Sequence, residues 1–141
     1  LNEAAGKMAR DSVFNAATVL RKISGFDVSE YDLHINVVGG ANIEGPSAGT
    51  ALFIALYSAI KKVPLRQDIA VSGELSLQGK IKPVGGLTEK LYGARIAGIK
   101  EVFLPKENIL ELPSSFKEIK INYVDCVEEI IPLVLFGENG R

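Results

Sequence analysis

Residues 44–50 read Glu-Gly-Pro-Ser-Ala-Gly-Thr, and the chemistry assigned to Ser47 decides what kind of domain this chain builds. A serine between two glycines and behind a proline sits where backbone turns sharply and a helix begins. Three readings follow. The spacing of Gly40, Gly45 and Ser47 mimics a nucleotide phosphate loop, but Pro46 stands where the lysine belongs and removes both a cation and a backbone donor. A looser phosphate-binding site at a helix N-terminus, like that of small-molecule kinases, keeps the loop without the lysine. The plainest reading makes Ser47 the start of a helix and nothing more. The third makes it a nucleophile, which requires a base to remove its proton.

Two residues qualify as that base. His34, the only histidine, lies in the β-rich run Leu33–Val38 and has no evident carboxylate to orient it, so a Ser-His-Asp triad is possible only through this residue. Lys90 fits better. At about 100° per residue, Leu87, Leu91, Ala94 and Ala97 share one face of a helix over 86–98, and Lys90 projects within that face. The small alanines leave room for the amine to reach another element, and burial lowers a lysine's pKa by disfavouring its charged form. The alternative is a stem lying along apolar surface with its ammonium in water. Glu89 reads as a solvated charge.

Outward from these motifs, helical spacing of Met8, Phe14, Ala17 and Leu20 predicts a first helix over 2–22, stopped at Ser24-Gly25. The second helix is expected from Pro46, at its first position, to Lys61; it is apolar nearly all round and should be central. Ile69–Ser76 and Lys80–Gly85 read as a hairpin around Leu77-Gln78-Gly79. After the third helix come strands EVFLP (101–105) and KINYV (120–124), with a short helix near 107–112 between them and a last helix over 127–136. The mixture of hairpin and helix-linked strands predicts one α+β domain over 1–141.

Composition narrows the function. Sixteen Lys plus Arg nearly cancel seventeen Asp plus Glu, which gives no basic surplus for nucleic acid or an anionic membrane. The longest apolar stretch, 46–60, falls short of the roughly 20 residues a spanning helix needs. Cys126 has no internal disulfide partner, reads as a small buried hydrophobe heading the last helix, and favours a reducing, cytoplasmic setting. One histidine and one cysteine cannot supply a structural tetrahedral metal set. The opening at Leu1, without a signal pattern, is expected of a piece of a longer chain.

Taken together, these stretches resemble the proteolytic domain of Lon proteases (peptidase family S16), ATP-dependent serine peptidases with a Ser-Lys dyad. The likeness runs from the first helix through the last. GPSAG (45–49), SGELSLQGKIKPVGGL (72–87), Lys90 within GGLTEKLYGARIAGI (85–99) and KEVFLPKEN (100–108) carry it. The resemblance implies Ser47 as nucleophile and Lys90 as general base. It implies that Ser72, where the family typically has threonine, bonds the lysine amine. Glu44 stands where many members have aspartate, as a supporting residue, and Asn36 where some show a second histidine. It further implies the α+β fold shared with ribosomal protein S5 domain 2 and with several small-molecule kinases. No cofactor is expected in this domain, while ATP and Mg belong to an upstream AAA+ ATPase module of a hexameric ring that degrades unfolded polypeptide. A phosphate-binding, kinase-like domain and a non-catalytic assembly module are the rivals on the same fold.

Overall fold

A computed structural model describes residues 6–35, 45–112, 116 and 118–136. Helix α1 spans Lys7–Ser24, buries Ala9, Ser12, Ala16, Val19 and Leu20 on one face, and ends at Gly25, whose φ of 73° makes the left-handed stop. Helix α2 spans Gly49–Lys61 and is central, packed between α1 and the sheet with Phe53 and Ile54 in the core. It starts three residues later than expected. Pro46 lies in the preceding turn, where its carbonyl accepts the Gly49 N–H at 3.1 Å, so Ser47 precedes the helix rather than forming its first turn.

Strands β1 (Ile69–Val71), β4 (Glu101–Pro105) and β5 (Lys120–Val124) form a parallel sheet in the order β1-β4-β5, with Ile69 opposite Glu101 and Glu101 opposite Lys120. Strands β2 (Glu74–Leu75) and β3 (Ile81–Lys82) pair separately as an antiparallel hairpin. The single strand expected over 69–76 is therefore two. It breaks at Gly73, whose N–H donates to the Ser47 carbonyl (2.9 Å) and whose carbonyl accepts from the Thr50 N–H (3.1 Å), so its backbone pairs with the start of α2 instead of a strand. The expected turn at 77–79 is present, with Gly79 at φ +85°.

Side chains alternate across β4: Phe103 enters the core built by α1, α2 and α4 (Val127–Val134), while Val102 and Leu104 enter a second core with Leu87 and Leu91 of α3 (Leu87–Ile96). The α+β class holds, with α1 and α2 over one sheet face and α3 over the other. A 3-10 turn at Lys106–Glu111 stands where the short helix was expected, and α4 ends two residues early. Residues 33–35 of the expected strand at 33–38 form no strand, and the rest lie outside the described residues.

Candidate functional site

Four segments converge on one cleft of about 440 Å³. The turn before α2 contributes Ser47 and Ala48, β1 with its following residue contributes Ala70, Val71 and Ser72, α3 contributes Lys90, Leu91, Ala94 and Ala97, and β4 contributes Val102 and Leu104. Apart from Ser47, Ser72 and Lys90 the wall is apolar, so charge inside it is poorly solvated.

Gly45, at φ +100°, sets the turn that presents Ser47; a side chain there would strain the backbone. Behind the turn, Thr50 is fully buried and its Oγ1 donates to the Gly73 carbonyl at 2.9 Å, beside the two backbone bonds that join Gly73 to this loop. Ser72 is meanwhile fixed on the other side, where its N–H donates to the Phe103 carbonyl at 3.1 Å. Ser47 and Ser72 are thus stapled together through Gly73. Sequence reasoning missed both staple residues, although a threonine within the apolar run of 48–56 and a glycine inside a strand pattern are signals of close approach.

Lys90 lies in the first turns of α3. Its Nζ donates to Ser72 Oγ at 3.2 Å, and burial of the amine lowers its pKa from the ordinary 10.5. Lys90 as a residue is exposed, so its amine is only partly desolvated where it lines the cleft. Among the described residues no hydrogen bond joins Ser47 Oγ to Lys90 Nζ; the amine is parked on Ser72. The Gly49 and Thr50 N–H groups are occupied by Pro46 and Gly73, which leaves the Ser47 and Ala48 N–H groups without protein acceptors among the described residues.

His34 is exposed and does not line the cleft, so the triad reading has no base there. Glu44, Asn36 and Gly40 lie outside the described residues. Glu89 is exposed, as expected. Cys126 differs from expectation. It is only half-buried, its Sγ lies 3.7 Å from Glu129 Oε1, and burial with the neighbouring Glu128 and Glu129 carboxylates pushes its thiol pKa up. Among the described residues no three His, Cys, Asp or Glu side chains converge as a metal set, and no helix is long and apolar enough to cross a membrane.

Fold and site together define a class: an α+β domain in which a serine and a partly desolvated lysine line a common apolar cleft. Residues 4–137 match the Lon protease (S16) C-terminal proteolytic domain, and the chain belongs to that family. It is 41% identical over 128 residues to Lon protease 2 of Bacillus subtilis (strain 168), covering 91% of this chain and 23% of that protein. It is 45% identical over 127 residues to Lon protease 2 of Thermus thermophilus, covering 82% and 16%. An archaeal Lon protease of Pyrococcus abyssi is 36% identical over 134 residues, covering 92% and 13%. The chain thus spans less than a quarter of the length of these relatives.

Proposed function

We propose that the chain is the peptide-hydrolysing domain of a longer serine endopeptidase. Neutral Lys90 takes the proton of Ser47 Oγ as the oxygen attacks a peptide carbonyl, the Lys90 ammonium returns it to the departing amine, and water then hydrolyses the acyl-serine. The observation that carries this reading is the Lys90 amine itself: partly desolvated, lining the same cleft as Ser47, and held by Ser72 with no carboxylate in ion-pair contact among the described residues. A carboxylate would keep it charged; a serine hydroxyl does not. The shift of Lys90 from Ser72 Oγ to Ser47 Oγ is a side-chain movement within one cleft, and such bonds tighten when substrate arrives. The N–H groups of Ser47 and Ala48, which have no acceptor among the described residues, are the proposed donors to the oxyanion.

The apolar wall favours an extended polypeptide that offers an apolar side chain beside the scissile bond, hence unfolded protein. Coupling to ATP and Mg through an upstream AAA+ module, a six-membered ring, an S5 domain 2-like relation of the fold and a cytoplasmic location complete the reading, all by kinship with the longer Lon proteases.

The test is degradation of fluorescently labelled casein by the full-length parent with ATP, compared with Ser47→Ala, Lys90→Ala and Ser72→Ala. The first two should abolish cleavage in folded protein. Ser72→Ala, which frees the amine, should slow it by about ten- to a hundredfold, with Ser72→Thr near wild type. Cleavage that survives Ser47→Ala or Lys90→Ala would overturn the dyad.

A further inference from the structure

The cleft that exposes Lys90 to substrate also removes a packing partner from its helix. Across that space α3 does not close against the start of α2, so its position depends on its contacts with the sheet and on how its first turn is anchored. Leu87 and Leu91 supply the sheet contact; farther along, Arg95 stacks on Tyr92 and Phe116. The first turn follows Gly85-Gly86. Gly85 has open space around its α-carbon and Gly86 adopts φ +65°, so the chain entering α3 offers little steric resistance to movement.

One side chain supplies that resistance. Asn108, from the 3-10 turn after β4, is fully buried. Its Oδ1 accepts the Val84 N–H at 3.0 Å and its Nδ2 donates to the Val84 carbonyl at 3.0 Å, so it pairs with both backbone groups of one residue as a neighbouring strand would. The same Nδ2 donates to Glu111 Oε2 at 3.1 Å, which fixes the orientation of the amide: a flipped Asn108 would set its NH2 against the Val84 N–H. Two residues past Val84, the Gly86 carbonyl accepts the Lys90 N–H at 3.0 Å. The clamp therefore acts on the segment from which the backbone of Lys90 hangs.

We propose that Asn108 is a positioning residue for Lys90, holding the entry to α3 so that the amine sits in the cleft beside Ser72 and Ser47. Its catalytic consequence rests on the dyad reading above; its effect on the amine does not. The conservative disruption is Asn108→Asp, which keeps the acceptor for the Val84 N–H but turns the other end into an oxygen facing the Val84 carbonyl and Glu111. Released from the clamp, α3 shifts and the amine gains water. Lys90 is the only titratable side chain among the cleft's described lining residues. The carboxylate that Asn108→Asp adds beside Glu111 also favours the ammonium by charge, whereas Glu111→Ala removes a negative charge, so a rise of the Lys90 midpoint in both variants reports hydration of the amine.

The experiment uses the full-length parent, wild type and Asn108→Asp, with two readouts. The first is the pH dependence of Lys90 modification by a limiting amine-acetylating reagent, read by mass spectrometry. The second is hydrolysis of a fluorogenic peptide across pH. In folded Asn108→Asp the Lys90 midpoint should rise toward that of an ordinary lysine and the acidic limb of kcat/KM should move the same way. The value of kcat should fall about ten- to a hundredfold with KM little changed, the size expected for a misplacement of about 1 Å. Glu111→Ala, which removes only the bond that orients the amide, should give a smaller shift of the same sign, and it decides the matter if the Asp variant does not fold. An unmoved Lys90 midpoint in the folded variants refutes the proposal whatever the activity. A moved midpoint in an enzyme that still cleaves as Lys90→Ala would refute the dyad and leave the clamp standing.

Discussion

Gly73 is the position where the staple between the Ser47 loop and β1 is most easily broken. A Cβ at this residue would stand 2.5 Å from Ile81 Cγ2 and 3.0 Å from Thr50 Oγ1. Neither neighbour yields readily, because Ile81 is 2% exposed and Thr50 is held by its bond to the Gly73 carbonyl. Gly73→Ala should cost about 1–3 kcal/mol, as overpacking of a filled core does. For a chain of 141 residues this is a drop of roughly 4–12 °C in Tm. Ile81→Ala by itself opens a cavity and should cost about 2–5 kcal/mol. Combined, the new methyl of Gly73→Ala occupies space that Ile81→Ala vacates, so the double variant should be less destabilised than the sum by about 1–2 kcal/mol. Urea denaturation of the four proteins measures the coupling. Agreement with simple addition, within about 0.5 kcal/mol, would show that the close approach of Gly73 to Ile81 is not what makes glycine necessary here.

Two further outcomes follow from charge. Burial lowers the pKa of Lys90, so between its folded value and the ordinary 10.5 the unfolded chain binds more protons and stability rises with pH. Lys90→Met should therefore raise Tm, more at about pH 6 than at about pH 10, and a gain that grows with pH would contradict the sign. At the other end of the sheet, Arg66 donates to Glu101 at 2.6 Å and to the Leu133 carbonyl at 3.1 Å, tying the approach to β1 to β4 and α4. Burial pushes the Glu101 pKa up, but hydrogen bonds from Arg66 and Asn122 and the charges of Arg66 and Lys120 outweigh it and hold it below 4.5. Arg66→Ala should cost about 1–3 kcal/mol near neutral pH, because Glu101 loses its main partner while mostly buried. That cost should fade as pH falls through the glutamate range, since a protonated Glu101 no longer needs the cation; denaturation curves at about pH 7 and about pH 4 test it.

The sequence by itself singled out Ser47 and Lys90 as candidate site residues and marked most of the elements that carry them. Ser47 behind Gly45-Pro46, and Lys90 on a face of leucines and alanines, are local patterns, because turn formation and helix periodicity depend on neighbours within a few residues. Tertiary structure decided how those patterns meet. The run over 69–76 has the composition of one strand, yet it divides, because Gly73 finds its hydrogen-bond partners in Ser47 and Thr50, more than twenty residues earlier. Asn108 reads as one polar residue in a polar turn, and its value lies wholly in the two backbone groups of Val84, twenty-four residues away. Nothing local marks either pairing: a buried polar group must be satisfied, but only the fold decides by what.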